Sequence, residues 1–145
     1  MTEAENLALA RQALAAINAH DIDAYLKNVD DSFVQESESL GRVQGRDGIR
    51  QAMTTLFQAF PDLHVDAEEL FAAGNHVIVR MLLNGTHKGV FAGVAPTNRT
   101  VSWRACNVLE IGSHGKPIRS RIYSDNITLL RQFGVLPAAQ ATATR

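Results

Sequence analysis

Two side chains stand where they could move protons at neutral pH. His87 sits in the run Gly85-Thr86-His87-Lys88-Gly89, and Asp125 follows the last alternating apolar stretch, Ile118 to Ser124. Imidazole titrates close to neutrality, and a carboxylate pushed upward by burial becomes an effective general acid or base. Each residue also has a structural reading. Asp125 precedes Asn126, Ile127 and Thr128, where a side-chain oxygen would cap a helix, and its strand parity is opposite to that of Ile122. The glycines on either side of His87 fit an imidazole that anchors a loop by a hydrogen bond. The single Cys106 cannot form an internal disulfide and reads as a small core residue. With no CxxC, HExxH or close histidine cluster, no metal or cofactor is expected. His20, His64, His76 and His114 fall at turns or strand ends, where they stay solvated.

Apolar spacing supplies the elements that must position these groups. Leu7, Ala10, Leu14 and Ile17 recur at the helical period and predict a first helix. Asp21 caps a second, with Ile22, Tyr25, Leu26 and Val29 on one face. Phe33 to Glu38 reads as a short strand, and Gly41 and Gly45 flank the turn after it. Ile49, Met53, Leu56, Phe57 and Phe60 predict a third helix, stopped by Pro61. The period then changes to two, with Leu63 and Val65, then Val77, Val79, Met81 and Leu83, and turn signals at Gly74-Asn75 and Asn84-Gly85. Long strands over Thr100 to Ile111 and Ile118 to Ser124 are joined by a turn at Gly112 to Gly115. Leu129, Leu130 and Phe133 form a last helix, closed by Gly134 and Pro137. Helices followed by a meander of strands predict an α+β domain over residues 1–137, a cone with a mouth, and a loose tail over 138–145.

Composition bounds the partners. The 145 residues are 46% hydrophobic and 20% charged, with a formal net charge of −1, which is the make-up of one globular domain. No block of basic residues offers a track for phosphates, so nucleic acid is not an expected partner. Met1 to Ala10 carries Glu3 and Glu5 rather than a basic segment and an apolar run, and no stretch reads as membrane-spanning. The expectation is a cytoplasmic protein that does not engage membranes.

The Gly85-Thr86-His87-Lys88-Gly89 run, followed by Phe91, Gly93 and Pro96-Thr97-Asn98-Arg99, resembles the GTH-x-G, F-x-G and PT-x-R stretch of the SnoaL-like polyketide cyclases. The resemblance continues through Gly115-Lys116, Asp125, Leu129 to Gly134 and Leu136-Pro137, and backwards through Pro61-Asp62, Gly74-Asn75 and Gly45-Arg46, so it covers nearly the whole chain. It implies the cone-shaped nuclear transport factor 2-like fold, a curved mixed or antiparallel sheet with the N-terminal helices packed on its concave face. It also implies a homodimer, with Arg80, Arg119 and Arg121 on the convex outer face.

Cyclases of this family close a polyketide ring by intramolecular aldol chemistry, using an aspartate on the last strand and a histidine on the preceding one, without a cofactor. Anchored on the shared runs, those two positions fall on Ile122 and Asn107. The resemblance further implies a pocket faced by Trp103, Ala105 and Asn107 on one strand and Ile118, Ser120 and Ile122 on the next. Gln35, Ser37 and Phe57 stand around it, Tyr25 reaches it with its hydroxyl, and Glu36 points away. The implied ligand is a small, largely apolar organic molecule. Three roles stay open: binding, with any catalysis being lyase- or isomerase-like proton transfer; a cyclase- or isomerase-type enzyme with Asp125 or His87 recruited as base; and a non-enzymatic interaction domain using the outer sheet face.

Overall fold

A computed structural model describes residues 2–138; the tail expected over 138–145 lies, beyond Ala138, outside the described residues. The chain begins with α1 (Glu3–Asn18) and α2 (Ile22–Leu26), then forms β1 (Val34–Ser37), β2 (Gly41–Gln44) and α3 (Gly45–Ala59). Four strands follow, β3 (His64–Ala73), β4 (His76–Thr86), β5 (Thr100–Ile111) and β6 (Pro117–Ser124), and α4 (Asn126–Phe133) closes the fold. The six strands make one sheet in the order β2-β1-β6-β5-β4-β3. All neighbours are antiparallel except β1 and β6, which run parallel. The curved sheet with its helices is the α+β architecture expected of the sequence.

Local chemistry starts and stops the helices. Thr2 caps α1 by accepting from the Glu5 amide, and Asp21 caps α2 by accepting from the Ala24 amide. At the other end of the chain Gly134, in the left-handed region, closes α4 with its amide directed at the Leu130 and Arg131 carbonyls. Side chains then fasten α1 and its following turn to the sheet edge. Asn18 donates to the Val65 carbonyl at 2.9 Å and accepts from the Val65 amide at 2.7 Å, pairing with β3 as another strand would. His20 Nε2 meets the Leu63 carbonyl at 2.8 Å. Arg46 donates to the Leu26 and Val29 carbonyls, tying the end of α2 to the start of α3.

Several local expectations give way to longer-range geometry. The segment between Gly41 and Gly45 is a strand, β2, paired with β1 in register Gln35 with Val43. Helix α2 ends at Leu26, short of Val29. Asn84 and Gly85 lie inside β4 and form no turn. Gly85 is there for proximity: a Cβ on it would stand 2.9 Å from the Phe60 Cβ, where the end of α3 crosses the strand. Gly89 meets the same helix end more closely, its virtual Cβ 2.6 Å from the Gln58 carbonyl oxygen. Cys106 belongs to the outward row of β5 and is half-buried, not part of the core.

Candidate functional site

Strand parity sorts β5 into two rows. Trp103, Ala105 and Leu109 are buried on the concave side and Arg104 is exposed on the other. Cross-strand pairing extends the inward row: Leu83 stands opposite Trp103, Met81 opposite Ala105, and both Val79 and Ile122 opposite Asn107. On the far side of β6, Gln35 pairs with Ser120 and Ser37 with Ile122, so β1 contributes to the same surface.

The helices do not fill the space above this surface. Helix α1 lines it with Ala10, Ala13 and Ala16 together with Leu9, Leu14 and Ile17. The result is a cavity of about 610 Å³, within the range that holds small organic ligands. Its wall combines Trp103, Met53, Leu56, Met81 and Phe91 with the alanines, and is mostly apolar. Trp103 is 4% exposed and packs against Phe60, centroids 5.1 Å apart, and Phe91, 6.5 Å apart.

Of the residues expected around a pocket, Tyr25, Gln35, Ser37, Trp103, Asn107 and Ile122 line this cavity. Gln35 is 8% exposed, and its amide has no hydrogen-bond partner among the described residues. That amide is not sealed off from the cavity in the way the orphaned Asn6 Oδ1 and His87 Nε2 are sealed off from everything. Asn107 Oδ1 accepts a 2.6 Å hydrogen bond from the Ser120 hydroxyl. Ser37 Oγ accepts from the Leu40 amide, which fixes the β1–β2 turn. Burial pushes the Tyr25 phenol up from its ordinary value and so keeps its proton on.

Three expected residues lie elsewhere. Phe57 is directed away from the cavity and stacks on His20 at 4.3 Å, because one position along α3 turns the side chain by about 100°; Leu56 and Met53 face inward instead. Asp125 is exposed and caps α4, accepting from the Thr128 amide at 3.1 Å and the Thr128 hydroxyl at 2.7 Å. Those two bonds hold its carboxyl below the usual range, opposite to the shift a general acid at neutral pH needs. His87 is fully buried outside the cavity, its ring stacked on Phe133 at 4.0 Å and tilted against Phe60 at 5.7 Å. Its Nδ1 accepts from the Thr97 amide at 3.2 Å, and burial lowers its pKa and keeps it neutral. His87 therefore anchors the loop that delivers Phe91 to the cavity wall.

The pocket face implied by the family resemblance also included Ile118. A register shift between Glu110 and Ile111 brings Pro117 opposite Ile111, so Pro117 lines the cavity and Ile118 does not. The Ser120–Asn107 bond was not foreseen; the signal available was only the shared inward parity of the two residues on adjacent strands. Arg80 and Arg119 lie on the outer face, as expected, and pair there with Glu69 at 3.3 Å and Glu36 at 3.0 Å. Among the described lining residues, the ionisable ones are Asp21, Tyr25 and Lys27, and Asp21 is engaged as the α2 cap. No group of three or more potential metal ligands is found among the described residues, and no described helix is long and apolar enough to cross a membrane.

Comparison with known proteins agrees with this architecture. AclR, a proposed hydroxylase from Streptomyces galilaeus, is 29% identical, with a TM-score of 0.83 over 96% of this chain and 91% of its own. IdmH, a proposed polyketide cyclase from Streptomyces antibioticus, is 22% identical with a TM-score of 0.74, covering 90% of this chain and 99% of its own. TerC, co-crystallised with polyporic acid, is 14% identical with a TM-score of 0.73, covering 90% and 98%. No curated protein matches the chain. The family model for SnoaL-like polyketide cyclases matches residues 8–133, a span that holds every strand of the sheet and nearly all of the helices around the cavity. The chain belongs to the SnoaL-like polyketide cyclase family.

Proposed function

We propose that the chain binds a small, largely apolar organic molecule in this cavity and holds its polar substituents with neutral groups. The observation that carries the reading is the make-up of the wall: apolar surface interrupted by Gln35, Asn107 and Tyr25, with Ile122 and Asn107 at the positions that the family resemblance gives to the cyclase aspartate and histidine. Isoleucine can transfer no proton, and an amide hydrogen-bonds without changing charge. A positioned acid or base contributes roughly 10²- to 10⁴-fold in rate, so its replacement removes the family's usual route to ring closure. TerC, with its bound polyporic acid, supports the capacity of this fold to hold an organic ligand. Proton transfer through Asp125 or His87 is not part of the proposal, since neither side chain reaches the cavity. A cytoplasmic homodimer that buries the outer sheet face, where Phe71 and Tyr123 are exposed, completes the reading; sedimentation analysis tests the dimer.

Thermal unfolding with polyporic acid and a panel of polycyclic ketones and quinones tests the binding. At a ligand concentration 100 times Kd, stabilisation is about 2.7 kcal/mol, which for a domain of this size raises Tm by roughly 6–10 °C. A panel in which every compound leaves Tm unchanged contradicts the proposal.

A further inference from the structure

We infer that Ser120 is a positioning residue that fixes the Asn107 amide with its N–H groups toward the cavity, so that the site selects ligands presenting a carbonyl-type oxygen there. The inference rests on the binding role proposed above and adds the chemistry of the group that is recognised. Ser120 is 1% exposed, which leaves its hydroxyl no solvent to bond with. Its hydroxyl makes one hydrogen bond among the described residues, to Asn107 Oδ1 at 2.6 Å.

The direction of that bond follows from satisfaction of the buried donor. With Oδ1 facing Ser120, the hydroxyl proton has an acceptor. With the amide turned over, Nδ2 would donate to Ser120 Oγ, and the buried hydroxyl proton would lose its acceptor, which is unfavourable for a buried donor. The bond therefore selects one of the two amide orientations and leaves Nδ2, a donor with no acceptor capacity, for whatever occupies the cavity. Gln35 lies on the same concave surface across β6, paired with Ser120 in register, and its unpartnered amide offers a second donor in the enclosed wall. An apolar molecule without an oxygen at that point would leave the Asn107 N–H groups dry, and a ketone or quinone oxygen would pair with them.

9-Fluorenone and fluorene share a ring skeleton and differ in the one oxygen, so equilibrium dialysis of both against the protein reads the effect. In the wild type the ratio of the fluorene Kd to the fluorenone Kd is expected to favour the ketone. Ser120→Ala leaves the two amide orientations about equally populated, so the donor-oriented fraction halves and the ratio is expected to drop about twofold. Ser120→Thr, which keeps the hydroxyl, restores the wild-type ratio. Asn107→Leu, similar in shape and without the amide, removes the hydrogen bond itself, is expected to lower the ratio about tenfold, the equivalent of about 1.4 kcal/mol, and serves if the alanine variant does not fold. Binding of both compounds with a ratio that neither Ser120→Ala nor Asn107→Leu changes overturns the donor assignment and leaves cavity binding standing. Binding of neither compound to the wild type overturns the binding role and the donor assignment together.

Discussion

Replacing His87 with phenylalanine should make the protein less stable at pH 7.5 and nearly abolish its loss of stability between pH 6.5 and 5. In the native protein the buried imidazole is stacked on Phe133, accepts from the Thr97 amide, and titrates below its ordinary value because burial disfavours the cation. The unfolded chain's imidazole titrates at about 6.5. The folded state thus binds fewer protons than the unfolded state below that pH, so the stabilisation is complete above about pH 6.5 and is lost as pH falls, by up to about 1.4 kcal/mol per pH unit. The carboxylates with lowered pKa, Asp23, Asp30, Asp62, Glu68 and Asp125, act in the same direction but only near and below their unfolded values of about 4, outside this window.

Phenylalanine keeps the stacking but leaves the Thr97 amide without its acceptor, at a cost of about 1–3 kcal/mol. It also removes the unpartnered Nε2 proton and regains part of that, for a net loss of about 1 kcal/mol at pH 7.5. Urea unfolding followed by fluorescence of Trp103, the single tryptophan, gives both numbers at each pH. The difference between wild type and variant should shrink toward pH 5. Parallel curves, with the variant retaining the full wild-type pH dependence between 6.5 and 5, would refute the assignment of His87 as a buried neutral anchor.

Asn18→Ala removes both bonds that hold α1 to Val65 and should lower the urea-unfolding free energy by about 2 kcal/mol. Asp125→Ala should cost about 1 kcal/mol in the same assay, as expected of a lost N-cap; ligand affinity should be unchanged, and a large loss of affinity would return Asp125 to the site. Ala13→Phe should fill part of the 610 Å³ cavity from the α1 side and weaken binding of a three-ring ligand at least tenfold in dialysis, with stability within about 1 kcal/mol of wild type because the side chain enters empty space.

Most of the helices and strands are legible in the sequence because their apolar residues repeat at the period that buries one face. The Asp125 cap was readable from its neighbours alone, and parity puts Trp103 and Asn107 on one face of β5, beside which the family resemblance sets Ile122 of β6. What local reading misses is set by partners distant in sequence. Gly85 reads as a turn until Phe60 is seen against it, 25 residues earlier in the chain, and β2 becomes a strand only because β1 pairs with it. Ile118 fails the parity rule because a register shift is a property of two strands together. Phe57 and Leu56 are both apolar and adjacent, and only the docking of α3 decides which faces inward. The cavity is lined from both ends of the chain, by α1 and by the strands opposite it, so it appears only once the two are packed together.

The side-chain amide resonances of Gln35 and Asn107, followed by nitrogen–proton correlation spectra while polyporic acid or fluorenone is added, test cavity binding most directly. Both amides should shift and saturate together with quenching of Trp103, while the amides of Asp125 and of the outward-facing Arg80 stay in place. Saturating shifts confined to the outer sheet face, with Gln35 and Asn107 unmoved, would contradict the account.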